Sequence, residues 1–309
     1  MLTIFTIPKA FKGHIDVIQR NAIKSWSLLQ PKCDVILVGD DEGTAEAAED
    51  LGVRHLPQVE RNEYGTPLLN SAFNLAQGAA SHHLMCHINA DIILMNDFME
   101  AVQRVQESSN RFLMTAQRWE LEINDHLEFC SGWEDELLQE VFKKGQLSHA
   151  TGIDFWVYSE GLVDGMPPFA VGRIATESWL LYKARLMHAD LIDSTPALVS
   201  IHQNHDYAHH PGGLVGIGTG VESQRNRQLV GGKSYFFTIR DRTHILTAKD
   251  MKRSRDVWTT WRALRTSLVL YPTMPLPLKL ASRFLNGAID ISRDVLIKLR
   301  SLGTFRAAR

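Results

Sequence analysis

The chain has 309 residues, 44% of them hydrophobic and 22% charged, with a net charge of −2. That much apolar side chain excludes wholesale disorder and can fill one large core or two small ones, while the near-neutral total selects no partner. The distribution says more: residues 249–309 hold thirteen Lys/Arg against four Asp/Glu, so a basic tail follows an acidic body.

No apolar run reaches the length of a membrane-spanning helix. MLTIFTIP opens directly on a strand-like pattern without a charged leader or cleavage site, so no signal peptide is expected. Cys33, Cys86 and Cys130 have no metal-ligand spacing and read as buried, reduced thiols of a cytoplasmic protein.

In chain order, LTIFTI (2–7) is a short strand stopped by Pro8, and 14–29 shows apolar residues at helical spacing. CDVILVGDD (33–41) is a buried strand ending in acids. A helix over 44–52 follows, with Thr44 as its N-cap and Gly52 as its stop, and then a short strand at 53–57. TPLLNSAFNLAQGA (66–79) reads as a helix with Pro67 in its first turn. HLMCHINADIIL is a buried strand carrying Asp91, and 98–108 is again helical. Strands alternating with helices imply βαβ units and a mainly parallel sheet flanked by helices. Ligands of such sheets bind beyond the carboxyl ends of the strands, where Asp40, Asp41 and Asp91 all fall. A desolvated carboxylate needs a partner, so Asp91 either caps a turn or is delivered to a ligand.

The order of VILVGDD, NEYGTPLLNSAFNLA and INADIIL resembles the nucleotide-binding half of GT-A glycosyltransferases, especially family 2-like ones, over residues 1–105 and more loosely over 150–245. The resemblance implies a GT-A-like catalytic domain over 1–248, divided into a nucleotide-binding half (1–105) and an acceptor half (106–248), before the tail at 249–309. It implies a nucleotide-diphosphate sugar donor, a glycan or lipid-linked acceptor, and Mn²⁺ or Mg²⁺ on the diphosphate. Asp40 or Asp41 would meet the nucleoside, with Pro8 and Asn70 beside it. Asn89-Ala90-Asp91 would occupy the D-x-D position, with Asn in place of the first acid. A noncatalytic nucleotide-sugar or glycan-binding protein of the same fold is the alternative.

SIHQNHDYAHHPGG (200–213) packs four histidines and an acid into one segment, and His202 or His205 would complete the metal site with Asp91. A polar loop whose histidines only form hydrogen bonds is the competing reading. In 148–186, residues 152–158 read as a strand carrying Asp154 and Trp156, and Thr176 as the N-cap of a helix. The resemblance implies a carboxylate that deprotonates an acceptor hydroxyl in an inverting transfer. Glu177 ranks first because a helix N-terminus favours its charge, and Asp154 second because burial in a strand favours its neutral form. Arg173 is assigned to the diphosphate or to a surface ion pair. GIGTG (216–220) reads as a flexible loop, and nothing suggests a nucleic-acid partner. In the tail, 258–272 and 277–302 read as basic amphipathic helices, either packed on protein or lying on the inner face of a membrane.

Overall fold

The apolar runs of the first hundred residues become parallel strands. A computed structural model describes residues 1–205, 218–277, 279 and 280. Its first elements are β1 (Leu2–Thr6), α1 (His14–Leu28), β2 (Asp34–Val38), α2 (Thr44–Leu51), β3 (Arg54–Leu56), α3 (Leu69–Ala79), β4 (Leu84–Ile88), β5 (Ile92–Ile93) and α4 (Asn96–Ser108). There follow β6 (Phe112–Thr115), β7 (Trp119–Leu121), α5 (Trp133–Lys144), β8 (Gln146–Leu147), β9 (Phe155–Tyr158), α6 (Thr176–Leu186), β10 (Asp190–Asp193) and β11 (Ile201–Gln203). The last are α7 (Val221–Val230), β12 (His244–Leu246), β13 (Met251–Arg253) and α8 (Val257–Leu270).

Among the described residues, nine strands form one sheet in the order β13-β12-β10-β6-β9-β4-β1-β2-β3, and β5-β11-β7-β8 form a second. The large sheet is mainly parallel and flanked by helices, as the alternation implies. β9 runs antiparallel between β4 and β6, and β13 antiparallel to β12. Both faces of β1 and β4 are buried, which explains their unbroken apolar character. Leu2, Ile4, Leu37, Cys86 and Ile88 pack with Trp26, Phe98 and Val102 on one face. On the other, Phe5, Phe73, His87 and Trp156 form an aromatic cluster. The small sheet has its own core of Ile93, Leu121, Leu137, Val141 and Ile201.

Local departures have local causes. α3 starts at Leu69, three residues after the expected start, because the preceding backbone is paired elsewhere. The Leu68 N–H donates to the Glu60 carbonyl at 2.8 Å, and the Leu69 N–H to the Phe169 carbonyl at 2.8 Å. The caps of α2 and α6 are Gly43 and Ala175, both left-handed, so Thr44 and Thr176 are first-turn residues. Gly52 does end α2, at φ 64°. Cys33 and Cys86 are buried, and burial pushes the Cys33 thiol up to about 12. Cys130 is exposed, contrary to expectation.

Two compact units divide at 254/255, six residues beyond the expected start of the tail, because Met251–Arg253 is a sheet strand. In the second unit α8 covers most of the first expected tail helix, and the Asp256 carboxylate caps it by accepting the Thr259 N–H at 2.9 Å. Most of 277–302 lies outside the described residues, as do 206–217. Among the described residues, no helix is long and apolar enough to cross a membrane.

The strand after Asp91 is held by α1: the buried Trp26 indole donates to the Ile92 carbonyl at 2.8 Å. Trp26→Phe removes that donor and should lower unfolding stability by about 2 kcal/mol in urea titration. An unchanged midpoint would show that Trp26 does not secure β5.

Candidate active site

A cleft of about 1510 Å³ opens at the carboxyl edge of β1 and β4. Its described lining includes Pro8, Asp41, Asn89, Asp91, Asp154, Arg173, Glu177, His202 and His205, which brings together nine of the eleven sequence-selected residues. Asp40 and Asn70 are not among that lining. Asp40 is exposed and pairs with Arg61, which holds its carboxyl below the usual range. Asn70 sits in the first turn of α3 with its Oδ1 buried and unpartnered among the described residues.

Asp91 is the centre of the arrangement. β11 runs antiparallel to β5, pairing Ile201 with Ile93 and His202 with Ile92. The ladder continues as the Gln203 N–H donates to the Asp91 carbonyl at 3.2 Å. Gln203 itself is pinned by its side chain, which donates to the Ile18 carbonyl at 2.7 Å and accepts from Asn21 at 3.0 Å. His205 Nε2 therefore lies 3.2 Å from Asp91 Oδ2, and His202 Nε2 lies 3.7 Å from it. One ligand atom from each of Asp91, His202 and His205 falls within a 4.8 Å span.

Burial acts to raise the Asp91 carboxyl, but the His205 hydrogen bond and the charges of His202 and Lys9 hold it well below the carboxylate range. Lys9 lines the same cleft, and burial lowers its ammonium group against the pull of Asp91. Asp91 Oδ1 is buried without a hydrogen-bond partner among the described residues. A buried anionic oxygen left unpaired beside two imidazoles fits a divalent cation. Imidazole ligands suit Mn²⁺ better than Mg²⁺, which favours an all-oxygen shell.

β9 supplies the neighbouring acid. Because it is antiparallel to β4, with Ile88 opposite Phe155, its first end lies beside the last end of β4. The Asn89 N–H donates to the Asp154 carbonyl at 2.9 Å, and Asn89 Nδ2 to Asp154 Oδ1 at 2.6 Å. Arg118 Nη1 donates to Asp154 Oδ2 at 2.6 Å. Burial pushes Asp154 up, with Arg118 opposing it. Each oxygen of this carboxylate thus has a donor, which is the environment of a fixed structural charge rather than of a mobile base. Asn89, in turn, commits its amide to Asp154.

Glu177 is in the first turn of α6, after Ala175 at φ 84°. The left-handed region costs a residue with a Cβ about 1–2 kcal/mol, so the turn that aims α6 at the cleft is strained. Burial pushes the Glu177 carboxyl up to about 7, against the backbone N–H groups of Glu177 and Ala175. The helix start does favour its charge, as expected, yet desolvation is larger. Arg173 lines the cleft, but its Nε and Nη2 donate to Glu222 Oε2 at 2.9 and 2.6 Å, so its charge is already paired.

Arg118, Glu120, Lys9 and Arg61 were not singled out in the sequence. RWELEI (118–123) did carry a signal: charges alternate with apolar residues that pack in the small core.

No family model matches the sequence, and no curated protein does. Among solved structures, S. aureus TarS is similar at 11% identity and TM-score 0.44, over 66% of this chain and 36% of its own. Mannosyltransferase PcManGT from Pyrobaculum calidifontis, in complex with GDP-Man and Mn²⁺, is 15% identical at TM-score 0.42, over 65% of this chain and 56% of its own. Glucosyl-3-phosphoglycerate synthase from Mycobacterium tuberculosis, in complex with Mg²⁺ and UDP, is 17% identical at TM-score 0.44, over 75% of this chain and 80% of its own. The chain thus spans about a third of TarS and just over half of PcManGT.

The Asn89–Asp154 contact makes restoring an acid at position 89 unfavourable. Asn89→Asp sets two carboxylates against each other and should destabilise the fold by about 1–3 kcal/mol. Adding Asp154→Asn restores a donor to the pair and should recover part of that loss in thermal unfolding. A single variant as stable as the parent, or a double variant no better than the single one, would contradict this account.

Proposed function

We propose that this chain is a metal-dependent glycosyltransferase that moves a sugar from a nucleotide-diphosphate sugar to a glycan or lipid-linked acceptor with inversion at the anomeric carbon. The observation that carries this reading is the convergence of Asp91, His202 and His205 in a cleft that Glu177 also lines. The sequence resemblance supplies the substrate class, and the donor set supports Mn²⁺ ahead of Mg²⁺.

In this reading Asp91, His202 and His205 hold the cation, which when bound neutralises charge developing on the departing diphosphate. Lys9 adds a second positive charge from the same cleft. Asp41 and Arg61, also in the lining, face the nucleoside. The acceptor oxygen bonds to the anomeric carbon as the bond from that carbon to the diphosphate oxygen breaks. The electron pair leaves on the diphosphate, and the acceptor proton passes to a Glu177 carboxylate oxygen. Glu177 is preferred over Asp154 because burial pushes its carboxyl up to about 7 even with the Arg118 charge nearby, whereas Asp154 is held by direct hydrogen bonds from Arg118 and Asn89.

Only ionised Glu177 can accept the proton. Raising its value to about 7 means that transfer should fall as pH drops below 7, roughly tenfold per unit. Glu177→Gln should lower turnover by roughly two to four orders of magnitude with donor affinity retained. Asp91→Ala should remove metal-dependent donor binding. Transfer at the parental rate in Glu177→Gln would move the base elsewhere, and a product of retained configuration would end the inverting reading. Metal-dependent binding without any transfer across a donor panel would favour a binding protein instead.

The tail is proposed to meet an anionic membrane surface. Supporting this, Val257 and Trp258 at the start of α8 are 82% and 62% exposed, with exposed Arg255 just before them. Full-length protein should sediment with anionic vesicles, and protein lacking residues 255–309 should not. Full-length protein that stays in the supernatant would refute membrane contact.

A further inference from the structure

β7 runs parallel to β11, which places Glu120 directly opposite His202. Glu120 Oε2 lies 2.9 Å from His202 Nδ1, on the side of the ring away from the Nε2 that approaches Asp91. Glu120 is itself gripped: Arg118 Nε donates to its Oε1 at 2.9 Å. The same guanidinium donates through Nη1 to Asp154 at 2.6 Å. Arg118 is thus a rigid fork with one prong on each acid, and planar guanidinium geometry fixes the two carboxylates relative to each other.

An ionised carboxylate only accepts hydrogen bonds, so its imidazole partner must carry a proton on the facing nitrogen. Glu120 sits as a carboxylate between two donors, with Arg118 Nε on one oxygen and His202 Nδ1 facing the other. His202 then keeps its proton on Nδ1, and a neutral ring turns its lone pair on Nε2 towards Asp91 and His205. A carboxylate behind a metal-bound imidazole fixes ring orientation and raises ligand basicity.

We propose that Glu120, gripped by Arg118, is a positioning residue that sets the tautomer and orientation of His202 for divalent-cation binding. The inference rests on the metal reading above and adds to it a partner that does not touch the ion. It also ties the cation side of the cleft to the acceptor side, because Arg118 joins Glu120 to Asp154 and, through Asp154, to Asn89. A shift of β7 would therefore move both a metal ligand and the strand start at Asp154.

The test measures Mn²⁺ affinity by calorimetry on the full-length chain, without donor, for the parent, Glu120→Ala, Glu120→Gln and Asp91→Ala. It is paired with ¹⁵N NMR of the His202 ring in metal-free protein, at a pH where the ring is neutral. Glu120→Ala should weaken Mn²⁺ binding by about 10–100-fold, and Glu120→Gln, which keeps an acceptor, by less. The Nδ1–H tautomer should dominate in the parent and in Glu120→Gln and be lost in Glu120→Ala. Asp91→Ala should abolish binding. If Glu120→Ala fails to fold, the tautomer of the parent and of Glu120→Gln decides the matter. An Nε2–H tautomer in the parent, or parental affinity in Glu120→Ala, overturns the positioning role and leaves the metal reading standing. A parent that binds no Mn²⁺ overturns both.

Discussion

Desolvating a carboxylate is expensive, and Asp91 is desolvated at the edge of a sheet whose strands are buried on both faces. The fold tolerates that charge because three cationic or protonatable groups, Lys9, His202 and His205, reach it from two separate parts of the chain. Even so, one oxygen has no partner among the described residues. The same features that keep the acid ionised make it a ready ligand. Structure and chemistry are here one electrostatic problem, posed by a buried acid and the three groups that face it.

Strand direction solves the geometric half of the problem. A purely parallel sheet would bring only strand ends followed by helices to this edge. Two reversals add residues that parallel order could not supply. β9 enters antiparallel to β4 and so sets Asp154 against Asn89. β11 runs antiparallel to β5 and carries His202 and His205 to Asp91. Arg118, just before β7, then binds acids from both strand systems. The cleft is consequently bounded by elements whose positions are fixed by backbone ladders, which suits a site needing constant distances.

Much of this was legible in the sequence, because periodicity and chain order are local or additive signals. Apolar runs ending in acids pointed to Asp91 and the sheet edge, and a concentration of histidines after an apolar run pointed to His202 and His205, which the fold brings together. What could not be read depended on pairing between distant segments. Arg118 and Glu120 look like ordinary surface charges until β7 is placed beside β11. Asn89 reads from the sequence only as a donor of a neutral oxygen, and the tie of its Nδ2 to Asp154 shows only once β9 is placed beside β4. The shift in the start of α3 also came from remote backbone partners, here Glu60 and Phe169. For Glu177 the helix-terminus argument was correct in sign, but burial, a property of the tertiary fold, outweighs it.

The central claim is that one divalent cation is held jointly by Asp91, His202 and His205. Its most direct test is anomalous diffraction at the manganese edge, on crystals of the full-length chain grown with Mn²⁺. The account predicts one strong peak bonded to a carboxylate oxygen of Asp91 and to an imidazole nitrogen of each histidine. A manganese peak on other residues, with these three side chains still hydrogen-bonded only to one another, would contradict it.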